Sequence, residues 1–168
     1  PAMPGMMREA QAAGLTVSLD TNWDPVEGWY LGGFFEDLNL FLPNEQELLA
    51  ITGESDLSSG LRTALSLVPL VVVKRGARGA LAASREELVE VPAFAVEVVD
   101  TTGAGDTFDG GFVAAWLRDE PLRRCLKVAA ACGALATTQP GGFHGQPTWD
   151  EAMALVEQAE AQEAADGR

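Results

Sequence analysis

The residues best suited to chemistry lie in the run Asp100-Thr101-Thr102-Gly103-Ala104-Gly105-Asp106. Gly103 and Gly105 carry no Cβ, so a ligand atom can approach their backbone closely. Ahead of the run, Phe94 to Val99 is apolar and β-branched, which suits a strand. Behind it, Phe108, Phe112, Ala115 and Trp116 recur at the spacing of an amphipathic helix. The run therefore marks the point where a strand hands over to a helix. The first turn of that helix offers unpaired N–H groups and the positive end of its dipole, an environment that attracts anions such as phosphate. A carboxylate adds nothing to holding phosphate. Asp106 makes sense there as a general base that takes a proton from an attacking hydroxyl, while the amides stabilise charge moving onto a transferred phosphoryl group. A tight turn with Asp106 as a helix-stabilising first-turn acid is the simpler account.

Other polar residues cluster where short apolar strands end. Leu15 to Leu19 reads as a strand followed by Asp20-Thr21-Asn22-Trp23-Asp24-Pro25, and open α/β sheets keep ligands at that edge. Asp20 and Asn22 are candidates for lining a pocket, or are ordinary Asx turn residues. Leu38 to Leu42 is another strand, and Asn44 with Glu47 then has capping-box spacing before a helix ending near Gly53. Leu70 to Val73 is a buried strand, followed by Lys74-Arg75-Gly76-Ala77-Arg78-Gly79. Cations are scarce in this chain, so Lys74, Arg75 and Arg78 either meet an anionic ligand or form a solvated turn.

The frame DTTGAGDTF resembles the C-terminal signature of the ribokinase-like (PfkB) carbohydrate kinases. The resemblance implies that Asp106 is the catalytic base, acting on a sugar hydroxyl, and that Gly103, Ala104 and Gly105 form the anion hole. It implies that Asp20 and Asn22 lie near the sugar. It likewise implies that Asn44 and Glu47, matching the family's Asn-x-x-Glu motif, help place magnesium and the phosphates of ATP. The Gly-x-x-Gly loop, with Gly76 and Gly79 beside Lys74 and Arg78, would lie against the nucleotide. Ala130 and Gly133 would lie near the adenine, although small-residue helix packing accounts for them equally well. A monovalent cation such as K+ would be held by Asp100, Thr102, Ala136, Gln139 and Gly141; Gln139 departs from the charged residue of ribokinase itself. The likeness runs from Gly14 to about Val156 and covers the C-terminal half of the family pattern, without its glycine-rich sugar motif or lid. One expectation is an ATP-dependent sugar kinase. The other is a truncated or split kinase that binds ATP but is not catalytic alone, as a homodimer or with a completing chain.

The elements needed to position these residues follow from periodicity. Helices are expected over Met3 to Ala13, Trp29 to Asp37, Asp56 to Leu67, Pro121 to Ala136, and from Thr148 to about Ala161, with a frayed acidic tail. Ala80 to Ala83 and Leu88 to Val91 form a hairpin. Strands alternating with helices indicate a single α/β domain over residues 1–168, ribokinase-like, with a mainly parallel sheet covered on both faces and an apolar edge or face left exposed. At 168 residues such a chain buries about 70% of its unfolded surface. Its formal net charge of −14 repels nucleic acid and anionic membranes, so an anionic ligand must be held by local dipoles, a few cations or a metal. Cys125 and Cys132 show no disulfide framework, and Cys132 is expected in the core rather than reactive. His144 has no metal-ligand partner and reads as a surface loop residue. No apolar run spans a membrane and no signal segment is apparent, which gives the expectation of a soluble cytoplasmic protein.

Overall fold

The computed structural model describes residues 3–22 and 33–167, which fall into two compact units. The first takes in the described residues up to Arg75 together with Leu81–Val89; the second takes Gly76–Ala80 and Glu90 onward.

The first unit begins with helix α1 (Met3–Ala12). Strand β1 follows (Ser18–Leu19), then a single 3-10 turn at Phe35–Asp37, and strand β2 (Leu40–Phe41). Helix α2 (Glu45–Thr52) begins at its capping box, and Gly53 ends it in the left-handed conformation at φ 71°. Helix α3 (Leu57–Leu65) is capped by Asp56, whose side chain accepts the Ser59 N–H. Strand β3 (Leu70–Lys74) is buried over its four apolar residues, as a strand covered on both faces must be. With β4 (Ala80–Ser84) and β5 (Leu88–Val91) it belongs to a five-stranded sheet in the order β1-β2-β3-β4-β5. The pairs β1–β2 and β2–β3 are parallel, with Leu19 opposite Phe41 and Phe41 opposite Val71. Met7, Phe41, Leu48, Leu61, Val71, Val73 and Leu81 form one core around this sheet.

The second unit is mainly helical. Helix α4 (Ala104–Trp116) packs on α5 (Leu122–Ala136), and α5 on α6 (Trp149–Ala165). Phe108, Phe112 and Ala115 are buried as the stripe requires. A Cβ on Gly111 would stand 2.7 Å from Cys132 Sγ, so glycine at this position lets the two helices approach closely.

Several elements differ from the sequence expectation; the Leu38–Leu42 strand, for one, is reduced to Leu40–Phe41. Phe94–Val99 forms no strand: the N–H groups of Val99 and Asp100 both donate to the Thr137 carbonyl, at 2.8 and 3.1 Å, instead of entering a ladder, and Val98 and Val99 are exposed. The Leu15–Leu19 strand is reduced to its last two residues, with Leu15 exposed. The Trp29–Asp37 helix is a 3-10 turn over its last three residues, and positions 29–32 lie outside the described residues. The final helix runs four residues past Ala161, to Ala165, because Lys127 on α5 pairs with Glu160 at 3.3 Å and Glu163 at 3.1 Å, anchoring the stretch expected to fray. Among the described residues no helix is long and apolar enough to cross a membrane.

Candidate active site

In the first unit the carboxyl ends of three neighbouring parallel strands bring polar residues together. Leu42 N–H donates to the Leu19 carbonyl, and Lys74 N–H to the Pro43 carbonyl at 3.0 Å, so the loops after β1 and β2 and the end of β3 are held in register. Asn44 is the cap of α2: its Oδ1 accepts the Glu47 N–H at 2.9 Å, and its own N–H donates to Glu47 Oε2 at 2.9 Å. Thr21 Oγ1 approaches the same Glu47 oxygen at 3.5 Å. The Glu47 side chain is thereby aimed at the sheet edge, and the residue is only 3% exposed. Lys74 Nζ lies 3.1 Å from Asp20 Oδ2, while Asp20 Oδ1 accepts the Asn22 N–H at 3.3 Å. Arg75 faces Glu45 at 3.5 Å. Of the three cations the sequence singled out, two therefore stand against carboxylates of this unit. Thr21, which the sequence did not single out, completes a circuit from Asp20 through Lys74, Asn44 and Glu47 and back. Its only advance signal was its place between Asp20 and Asn22.

The second unit holds the glycine turn. Gly103, at φ 73°, is the N-cap of α4, and a Cβ on it would lie 2.8 Å from the Gly142 Cα. Only glycine meets both conditions. The Thr107 N–H and hydroxyl both donate to the Gly103 carbonyl, at 2.9 and 2.8 Å, closing the first turn. The Ala104 N–H is committed to the Thr101 carbonyl at 3.2 Å. Those of Gly103, Gly105 and Asp106 meet no protein acceptor among the described residues. Asp106 itself is exposed in the first turn of α4 and points away from the core. An exposed carboxylate and open amide donors thus share one turn.

Asp100 supports that turn from behind. Its Oδ1 accepts the Thr102 N–H and hydroxyl at 2.9 and 2.8 Å, and its Oδ2 accepts the Gly141 N–H at 2.9 Å. These bonds, the Thr102 N–H foremost, hold its carboxyl below the usual aspartate range.

The remaining sequence candidates lie at these positions. Gly133 packs on α4, where a Cβ would meet the Ala104 carbonyl and Phe108 Cβ at 3.3 Å, and Ala130 is buried in the same region. Gly76 opens a 3-10 turn, Gly76–Arg78, that closes through Gly79 N–H to the Gly76 carbonyl at 2.9 Å; Arg78 is exposed there. Gly79, at φ 83°, lies so near the Val91 carbonyl that a Cβ would overlap it. Gln139 is exposed, and the Ala136 carbonyl lies against Gly145. His144 is an exposed loop residue in edge contact with Phe143. Among the described residues no group of three or more His, Cys, Asp or Glu side chains gathers as a metal cluster.

Comparison with known proteins bears on the family and the fold. An ATP-dependent ribose-1-phosphate kinase of Halopiger xanaduensis is 34% identical over 155 residues, covering 89% of this chain and 49% of its own. A putative ribokinase II from E. coli, solved with ATP and Mg+2, superposes with TM-score 0.84 at 30% identity over 90% of this chain and 52% of that one. Arabidopsis thaliana ribokinase complexed with ribose and ATP gives TM-score 0.85 at 27% identity, over 93% and 52%. The fold is thus the ribokinase-like α/β fold, and the chain spans about half the length of the curated relatives it matches. The sequence pattern of the pfkB family carbohydrate kinases matches residues 6–149, so the chain belongs to that family.

Proposed function

We propose that this chain is the nucleotide-binding and catalytic half of an ATP-dependent kinase acting on a sugar hydroxyl. The observation that carries the reading is the exposed Asp106 carboxylate in a first helical turn whose Gly103, Gly105 and Asp106 amides are open. Asp106 takes the proton of the hydroxyl as its oxygen bonds to the γ-phosphorus of ATP, while the bond to the β-phosphate breaks and ADP leaves. The turn's amides stabilise the charge on the phosphoryl group in transit, and Gly103 keeps that backbone clear of a Cβ. Solved relatives support the substrates: one holds ATP with Mg+2, another ribose with ATP.

The first unit supplies side chains that suit magnesium. Asp20, Thr21, Asn44 and Glu47 offer only oxygen donors, the class magnesium prefers, and Glu47 Oε1 is unengaged among the described residues while Oε2 carries the cap. When bound, the ion would offset phosphate charge. Glu47, fixed by Asn44, and Asp20, fixed by Lys74, would hold it, directly or through water.

The test pairs calorimetric titration with Mg-ATP and a coupled phosphorylation assay across ribose, fructose and other sugars. Asp106→Asn is expected to lower turnover by about two to four orders of magnitude while leaving ATP affinity unchanged. Equal loss of ATP binding would place Asp106 in the nucleotide site instead. Since the chain spans about half of its relatives, a second reading is that it binds ATP and phosphorylates only with another chain; binding without turnover would select it. A chain that binds no nucleotide would end both readings.

A further inference from the structure

Two carboxylates and an ammonium meet at the carboxyl edge of the first unit's sheet. Glu47 is 3% exposed, with Oε2 taken by the Asn44 N–H and approached by Thr21 Oγ1. Asp20, the residue before Thr21, takes Lys74 Nζ on Oδ2 at 3.1 Å, and the Lys74 side chain is only 14% exposed. The Lys74 backbone is fixed at the same edge: its N–H donates to the Pro43 carbonyl, and it pairs in parallel with Asn44, the cap of α2. The ammonium thus stands among the oxygen donors that suit magnesium. Asp20, Glu47 and Lys74 sum to one formal negative charge. A divalent ion taken by Asp20 would meet the ammonium's charge in a place sheltered from water, where like charges repel strongly. A polyphosphate reverses the balance, because its oxygens accept from the ammonium and bind the ion as well.

We propose that Lys74 sets the affinity of this edge: its ammonium keeps a free divalent ion from being retained there, and admits the ion together with a polyphosphate. The two ligands then bind cooperatively, with Lys74 as the source of the coupling. That the polyphosphate is ATP rests on the kinase reading. The antagonism between Lys74 and the free ion rests on the Lys74–Asp20 contact.

Two calorimetric titrations of the whole chain test this, one with Mn2+ in the absence of nucleotide and one with inorganic triphosphate in the presence of a chelator. Against the unsubstituted chain, Lys74→Met is expected to bind Mn2+ about ten-fold more tightly and triphosphate about ten-fold more weakly. A fold merely loosened by the substitution would weaken both, so the opposite signs mark the role. Adding Asp20→Asn to Lys74→Met should remove the gain in Mn2+ affinity. Should Lys74→Met fail to melt cooperatively, Lys74→Gln decides, with the same signs expected. Mn2+ affinity that does not rise in the variant would overturn the inference. So would a gain that survives Asp20→Asn, or triphosphate affinity that does not fall. Mg-ATP binding by the unsubstituted chain, titrated separately, bears on the kinase reading: its absence would end that reading and leave the Mn2+ comparison standing.

Discussion

Lys74 and Asp20, fifty-four positions apart in the chain, meet at 3.1 Å across the carboxyl edge of the sheet. The contact works because β1 and β3 both run parallel to β2, so that their carboxyl ends emerge on the same side. An ammonium placed there by sequence looks like a phosphate ligand. In the folded chain it compensates Asp20 and fixes the loop carrying Thr21 against Glu47.

The pair is sheltered, with side chains 14% and 22% exposed, so it should couple more strongly than an open surface pair. Lys74→Met is expected to cost about 1–3 kcal/mol in urea denaturation. A double-mutant cycle with Asp20→Asn should return a coupling above about 0.5 kcal/mol. Independent, additive effects would show that the two side chains do not support each other.

Three glycines of one region should answer differently to the same substitution. Gly110→Ala adds a methyl where nothing lies within 4 Å, in a helix interior, and should stabilise by about 0.5–1 kcal/mol. Gly111→Ala drives that methyl into Cys132 and should destabilise by about 1–3 kcal/mol. Gly103→Ala combines a left-handed backbone with a clash on Gly142, and should cost at least about 2 kcal/mol. Thermal melts of the three variants check this; a Gly110→Ala chain melting below either of the other two would refute the packing described for the turn and the α4–α5 contact.

Such contrasts show what sequence could and could not convey. The ends of α2 were legible because Asn44, Glu47 and Gly53 each answer a local backbone need. The turn at Gly103 was legible for the same reason. Phe94–Val99 has the composition of a strand but finds a single carbonyl, that of Thr137, instead of a neighbouring ladder, and composition does not name the neighbour. The buried Lys127 was missed because its partners, Glu160 and Glu163, lie thirty-three and thirty-six positions away in a tail that looked merely acidic. Gly142 passed unnoticed because its task is to touch Gly103, a long-range contact without local signature.

Cys125 and Cys132 are free, buried thiols, each pushed up to about 11. Burial is the main cause at both, joined at Cys125 by the charge of Glu120. The fold favours the neutral thiols, so their contribution to stability is full below the ordinary thiol value and is lost as pH rises through about 11. Iodoacetamide at mildly alkaline pH should leave the native chain unmodified and label both cysteines in urea. Native labelling at the rate of a free thiol would mean that the α4–α5 contact opens readily.

Acid should weaken the chain at three identifiable points. Asp56, Asp100 and Glu151 are each held below the usual carboxylate range, chiefly by the backbone N–H of Ser59, Thr102 and Thr148 respectively. The unfolded chain binds these protons more readily than the folded one. Their contribution is therefore present above the unfolded value and disappears as pH falls through the lower folded value. The melting-temperature gap between the unsubstituted chain and Asp56→Asn, Asp100→Asn or Glu151→Gln should shrink from about pH 7 to about pH 3. Asp100→Asn should begin with a wide gap, because its carboxylate answers donors from two separate loops whereas Asp56 and Glu151 each serve one helix end. A gap that stays constant with pH would mean that the shape of the side chain, not its charge, holds these turns.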